Sequence, residues 1–236
     1  MNQMRAGRTI RLESLSMVEL VGPAGAGKTS LSRALSQRSE KIVIGADIEL
    51  RKKEQIPIFV RNAPFLVPVL LRRCQSSRRF TWDEIKAMVY LKGWHRLFRQ
   101  QAVKNGRLVL LDHGPVFKLA TLQAFGPEKL RNPSVEMWWS DMFRQWALML
   151  DMVIWLDAPD GILEERINIR SQRHMVKGRS EPEVAQFLAR YRASYQQILT
   201  KLAAHGGPAL LQFDTSQTSM EEIVEKVLVA CNIATS

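Results

Sequence analysis

A glycine-rich segment near the start of the chain has the residue types and spacing of a loop that wraps a phosphate chain. Its residues match the P-loop (Walker A) pattern G-x-x-x-x-G-K-[ST] at every fixed position; they are Gly22, Pro23, Ala24, Gly25, Ala26, Gly27, Lys28 and Thr29. Glycines allow close backbone approach to phosphates, and the N–H groups of such a loop and of the following helix attract anions. The segment, with the adjacent Ser30, is predicted to bind a nucleoside triphosphate, with Lys28 on the β- and γ-phosphates and the Thr29 hydroxyl on Mg²⁺. A chance glycine turn is the alternative, which the apolar strand before and the helical sequence after disfavour.

Two carboxylates follow apolar runs and are candidates for the same site. Asp112 comes directly after Leu-Val-Leu-Leu, and the carboxyl ends of parallel strands open onto the ligand crevice. Asp112 is predicted to hold Mg²⁺, directly or through water, or to contact the substrate. Asp47 ends the second apolar run and could accept the proton of an attacking hydroxyl. The alternatives are a strand-ending turn for Asp112 and a helix N-cap for Asp47.

An arginine-rich segment follows the fourth apolar run. Arg166, Arg170 and Arg173 recur at spacings of four and three, which predicts one shared helix face. Guanidinium groups stabilise a transferring phosphoryl group with bidentate geometry. A lid role over the phosphates is therefore predicted for this segment, with a solvated helix face as the alternative.

The elements that must position these residues alternate between apolar strands and helices. Strands are expected at 17–21, 41–45, 108–111, 152–156 and 209–213. Helices are expected at 28–38, over much of 48–105, and at 117–125, 134–150, 161–202 and 220–231. This alternation predicts a three-layer α/β/α sandwich with a five-stranded parallel sheet. Residues 1–15 are predicted to be a flexible tail, and 16–236 a single domain with a helical acceptor region at about 48–105 and an Arg-rich lid at about 164–182.

Composition narrows the setting and the partners. The formal net charge is +11, and a basic surface can serve nucleic acid, anionic lipid or polyphosphate ligands. The two cysteines, Cys74 and Cys231, do not form a disulfide framework, so a reduced, cytoplasmic setting is expected. The N-terminal charges have no apolar core after them, and no secretory signal is expected.

Together these residues resemble the thymidylate kinase and deoxynucleoside kinase group of P-loop kinases, from about residue 17 to 229. The resemblance lies in the order of P-loop, Asp47, LVLLDHG, VIWLDAP, EERINIRSQR and FDTS. It implies ATP and Mg²⁺ as cofactors, Asp112 as the acidic member of the motif after the third strand, and Asp47 as the acidic residue after the second. It also implies that Arg166, Arg170 and Arg173 are lid arginines and that Asp214, Thr215 and Ser216 lie near the adenine. His113 stands where arginine is usual, which leaves the acceptor open.

The predicted function is an ATP-dependent kinase that transfers the γ-phosphate to a nucleoside, a nucleotide or another small hydroxyl or phosphate acceptor, with a homodimer left open. The alternative is a nucleotide-dependent regulatory ATPase or switch. The chain lacks N-K-x-D, L-S-G-G-Q and a glutamate after Asp112, which disfavours a GTPase, a transporter ATPase and a motor. A kinase acting at a membrane or on nucleic acid is a third, less favoured interpretation, based on the charge and on the apolar, basic stretch 51–79.

Overall fold

Five strands form one parallel sheet at the centre of the fold. The computed structural model describes residues 17–45, 56–62, 78–105, 107–171 and 174–233. The strands within them run in the spatial order β2-β3-β1-β4-β5. They are β1 Met17–Val21, β2 Ile42–Gly45, β3 Leu108–Asp112, β4 Met152–Asp157 and β5 Ala209–Asp214. All five predicted strands are confirmed.

Helices cover both faces of this sheet. In the described part of the chain they are α1 Lys28–Arg38, α2 Ile56–Asn62, α3 Trp82–Asn105, α4 Pro115–Phe125, α5 Glu136–Met149, α6 Asp160–Ile169, α7 Glu181–Ala203 and α8 Met220–Ala230. Two short 3₁₀ turns, Glu128–Arg131 and Pro133–Val135, precede α5. None of the helices described here combines the length and apolar character needed to cross a bilayer.

The central strand β1 shows how the two layers of core arise. Successive side chains of a strand point to opposite faces. Met17 and Val21 pack into one core with residues of α3, α4, α5 and α7. Val18 and Leu20 pack into the other core with residues of α1, α6 and α8. A sheet covered on both faces requires apolar residues on both faces, which is why its strands appear in the sequence as largely apolar runs. The predicted three-layer sandwich is confirmed.

The prediction of one long helix over 161–202 is wrong. The first helix, α6, ends at Ile169, and Arg170 follows in extended conformation with φ −67° and ψ 148°. The next helix begins after Ser180, whose side chain and Glu183 form a reciprocal capping box. Such a box marks a helix start, and Gly178 just before it has φ 74°. Arg166 and Arg170 therefore do not share the face of one continuous helix, and Arg173 lies outside the described residues.

Candidate active site

The P-loop leaves β1 at the carboxyl edge of the sheet and leads directly into α1. Gly22 has φ 142°, and a Cβ atom there would lie 2.0 Å from the backbone oxygen of Leu156. Gly27 has φ 91° and is the N-cap residue of α1, with no side-chain hydrogen bond capping the helix. The loop is thus held tightly against β4, and the first turn of α1 presents its backbone N–H groups at its mouth.

Lys28 folds back across the loop. Its Nζ donates to the backbone oxygens of Gly22, at 2.8 Å, and of Pro23, at 2.9 Å. Burial lowers the pKa of Lys28 to about 8; Asp112 opposes this shift and the positive charge of Arg170 adds to it. The ammonium group is therefore desolvated in the loop, where phosphate oxygens could replace the carbonyl oxygens as its acceptors.

Asp112 and Thr29 meet beside this lysine, as the sequence analysis predicted for two metal ligands. The Thr29 hydroxyl donates to Asp112 Oδ2 at 3.2 Å. The other carboxylate oxygen, Oδ1, is buried and has no hydrogen-bond partner among the described residues; His113 Nδ1 lies 3.8 Å from it. A hydroxyl and a carboxylate are the hard oxygen donors that Mg²⁺ takes alongside water and phosphate, so the pair fits that ion.

Arg166 joins the P-loop to the loop after β5. Its Nη1 donates to Thr215 Oγ1 at 2.8 Å and to the Gly25 oxygen at 3.4 Å, and its Nη2 donates to the Thr215 oxygen at 3.0 Å. Asp214 is exposed, and its Oδ1 accepts from the N–H and the hydroxyl of Ser216. The structure thus brings three of the predicted site residues, Gly25, Arg166 and Thr215, into direct contact.

Arg170 lies where its charge acts on Lys28. Its Nε is buried and has no hydrogen-bond partner in the described part of the chain. Its positive charge lowers the pKa of Lys28, and the charges of Arg170 and Lys28 add to burial in lowering the pKa of His174. The positive charges of Arg170 and Lys28 thus act on each other and on His174. His174 was not predicted as a site residue, because it directly follows Arg173 in the chain and belongs to no motif.

Two residues of α7 that the sequence did not predict contact this edge of the sheet, one at the P-loop and one at the loop after β4. Tyr195 is fully buried, and its hydroxyl donates to the Gly22 oxygen at 3.4 Å. Arg192 pairs with Asp157 and Asp160 and donates to the Ala158 oxygen. No local sequence signal places α7 against the P-loop, because only the packing of the two elements does so.

A cavity near the start of α4 is linked to the residue after Asp112 by one ring contact. His113 has φ 62°, and its ring meets that of Phe117 edge to face, with 4.5 Å between centroids. Phe117 in turn lines a cavity of about 230 Å³ between α3 and α4. The cavity is also lined by Asp83, Glu84, Lys86, Ala87, Lys118, Thr121 and Leu122.

The remaining predicted residues have less structural context. Ser30 lies exposed in the first turn of α1. Asp47 and Arg173 lie outside the described residues. Their roles as base and lid arginine remain predictions.

Comparison with known proteins agrees with this architecture. A family model described as "AAA domain" matches residues 17–198. Thymidylate kinase from Candida albicans superposes with a TM-score of 0.55 at 14% identity, covering 92% of this chain and 91% of that one. Deoxyadenosine kinase from M. mycoides, with products dCMP and a flexible dCDP bound, superposes with a TM-score of 0.52 at 15% identity, covering 92% of this chain and 98% of that one. No curated protein matches the chain in sequence. At these identities the superpositions show a shared fold.

Proposed function

This chain belongs to the AAA-domain family of P-loop proteins, and from that premise we propose that it is an ATP- and Mg²⁺-dependent kinase acting on a small molecule. The observation that carries the proposal is the pairing of Thr29 with Asp112 next to Lys28. A hydroxyl, a carboxylate with one buried oxygen that has no hydrogen-bond partner among the described residues, and a desolvated ammonium group converge at the mouth of a P-loop. Phosphoryl transfer needs this set of groups, since it depends on positioning and charge stabilisation.

The proposed roles follow from where each group lies. The P-loop N–H groups bind the β- and γ-phosphates, and Lys28 turns from the Gly22 and Pro23 oxygens to the phosphate oxygens. Thr29 and Asp112 hold Mg²⁺, which when bound neutralises charge on the phosphate oxygens. Arg170 stabilises the charge of the transferring group, for which its Nε is available because it has no hydrogen-bond partner within the described ranges. Arg166 holds the P-loop and the Thr215 loop together, so that Thr215 and Asp214 border the nucleotide.

For the acceptor, we propose the cleft between α3 and α4. It is lined by Phe117, whose ring contacts the ring of His113, the residue that follows Asp112. An acceptor hydroxyl or phosphate at its inner end would lie near the γ-phosphate, with Asp47 as the proposed base. The acceptor is a nucleoside, a nucleotide or another small molecule with a hydroxyl or phosphate group, and His113 is the residue that departs from the arginine expected for nucleotide acceptors.

The proposed setting is the cytoplasm, where ATP is abundant. Cys231 is a buried free thiol, which fits a reducing compartment. A homodimer remains a prediction. Contact with nucleic acid or a membrane surface remains the less favoured interpretation of the +11 charge.

The competing function is a regulatory ATPase or switch, and one experiment separates the two. ATP consumption is measured with Mg²⁺ over panels of nucleosides, nucleoside monophosphates, sugars and hydroxy acids. A kinase shows turnover that one acceptor class stimulates and that Asp112→Asn abolishes, while Arg144→Ala, a change at an exposed arginine of α5, retains it. Hydrolysis that no acceptor stimulates, with Asp112→Asn reducing it equally, would instead establish the ATPase.

A further inference from the structure

A carboxyl group is buried in the middle of the central strand, where the pattern calls for an apolar side chain. Glu19 is fully buried in β1 and points to the face that also carries Met17 and Val21. Burying a carboxyl group is unfavourable unless it is hydrogen-bonded. The contacts of Glu19 are therefore the place to look for its role.

Glu19 caps a helix that belongs to another part of the chain. Its Oε2 accepts from the Val116 N–H at 2.8 Å, and its Oε1 accepts from the Phe117 N–H at 2.9 Å. These are N–H groups of the first turn of α4, which no helix can satisfy from within. Pro115, the first residue of α4, has no N–H group. One carboxyl group thus satisfies both free donors at the start of the helix.

Gly114 makes room for this contact. A Cβ atom at this position would lie 2.8 Å from Glu19 Cδ and 2.9 Å from Leu111 Cβ. Its φ of −75° is accessible to any residue, so the requirement for glycine is steric. The turn Asp112-His113-Gly114-Pro115 is therefore shaped around the Glu19 carboxyl group.

We propose that Glu19 is a positioning residue that holds the Asp112–His113 turn against the P-loop. In the parallel pairing of β1 with β3, Glu19 lies beside Leu111 and Leu20 beside Asp112. The same strand continues into the P-loop and α1, which carries Thr29. Glu19 therefore ties the start of α4 to the strand that carries the phosphate site, and so sets the 3.2 Å contact between Thr29 and Asp112. The inference rests on the proposed function, because it takes Thr29 and Asp112 as the magnesium-side pair.

Charged and titratable groups face Glu19 from three elements. Lys118 of α4 favours the ionised carboxylate, and Asp112 of β3 disfavours it. Tyr195 of α7 is close enough for Glu19 to affect its pKa. Because both backbone donors and a lysine attend it, Glu19 is held as part of a polar cluster beneath the site rather than as an isolated charge.

The test measures how strongly Mg²⁺ promotes nucleotide binding. The affinity of a fluorescent ATP analogue is determined with Mg²⁺ and with EDTA, and the ratio of the two reports the Thr29–Asp112 pair. Changing a residue that orients a metal ligand typically costs about 10–100-fold in metal affinity, so we expect Glu19→Gln and Gly114→Ala to lower the ratio by about tenfold. The loss expected for Asp112→Asn is larger, because that change removes the ligand itself. The affinity in EDTA should stay within about twofold of that of the wild type, because the P-loop itself is unchanged.

A matched variant separates positioning from simple loss of stability. Val18→Ala removes fully buried volume from the neighbouring position of β1, on the opposite face, so it lowers the melting temperature and leaves the ratio unchanged. Gly114→Ala retains Glu19 and displaces the turn from the other side, which gives a second route to the same result. The proposal is overturned if Glu19→Gln and Gly114→Ala keep the wild-type ratio while their melting temperatures fall as in Val18→Ala.

The kinase proposal and the positioning proposal can fail separately. If Mg²⁺ promotes analogue binding and both variants lower the ratio, but no acceptor stimulates turnover, the kinase is refuted and the positioning role stands. If Mg²⁺ has no effect on binding by the wild type, Asp112 has no metal to hold and the positioning role is refuted.

Discussion

Arg166 and Arg170 belong to the same arginine segment, but replacing each of them is expected to affect a different property of the protein. Arg166 makes three hydrogen bonds to Gly25 and Thr215 in the protein without ligand. Arg170 leaves its buried Nε without a partner among the described residues. Replacing Arg166 by alanine should therefore destabilise the free protein, whereas replacing Arg170 should weaken nucleotide binding.

The size of each effect follows from these contacts. At about 1 kcal/mol for each hydrogen bond, Arg166→Ala loses about 2–3 kcal/mol, which lowers the melting temperature of a chain of this size by about 4–12 °C. For Arg170→Ala, a tenfold loss of affinity removes about 1.4 kcal/mol of ligand stabilisation, so the shift produced by the nucleotide shrinks by about 3–6 °C.

Thermal unfolding followed by circular dichroism, with and without Mg²⁺ and a non-hydrolysable ATP analogue, measures both effects. Arg144→Ala serves as the matched control, because Arg144 is exposed on α5. The reasoning is refuted if Arg166→Ala melts with the control, or if Arg170→Ala destabilises the free protein and leaves the nucleotide-induced shift intact.

Three further outcomes are expected. Gly22→Ala would place a Cβ atom 2.0 Å from the Leu156 backbone oxygen, so it should lower the free energy of unfolding, measured with urea, by about 3 kcal/mol or more. The matched change Gly161→Ala has open space around its Cβ, and its free energy of unfolding should lie within about 1 kcal/mol of that of the wild type. Lys28→Met should weaken analogue binding on the order of 100-fold, as titration of fluorescence would show, without loss of the far-ultraviolet circular dichroism signal. Burial raises the pKa of Glu19 from 4.5 to about 8, so between these pH values the folded chain retains a proton that the unfolded chain releases. The free energy of unfolding of the wild type should therefore fall, relative to that of Glu19→Gln, as the pH rises from 4.5 to about 8. Identical pH profiles of the two proteins would contradict this expectation.

Much of the fold could be predicted because strand patterns are local. β1, α1 and β5 begin where the apolar runs and the glycine loop predicted them, since a parallel sheet covered on both faces demands continuous apolar residues. The break after Ile169 was missed, although Ser180 and Glu183 carry the S-x-x-E signal of a helix start. The spacing of Arg166, Arg170 and Arg173 is compatible with a helix that continues past Ile169. The helical pattern does not reveal the interruption in this segment, where Gly178 adopts φ 74°.

The site could be predicted in part for the same reason. The P-loop is contiguous in sequence and Asp112 directly follows its strand, so both are recognisable as candidates from local sequence. The structure joins them by the hydrogen bond from Thr29 to Asp112. Glu19 interrupts the apolar run MVELV, and a charged residue within such a run indicates a buried polar contact that the sequence analysis did not predict. His174 and Tyr195 carry no such signal, because only tertiary packing brings Tyr195 to Gly22 and His174 within the influence of Lys28.

The sequence by itself determined the glycine-rich loop after β1, the order of the strands along the chain and the carboxylate at the end of β3, since each depends on residues that are neighbours in the chain. Only the tertiary structure decided what these residues touch. It made Arg166 a brace between two loops, left the buried Nε of Arg170 without a hydrogen-bond partner among the residues that the structure describes, and set the Glu19 carboxyl group against the turn that follows Asp112. The physical reason is that a hydrogen bond or a desolvated charge depends on groups brought together across the chain, here by the burial of both faces of the sheet.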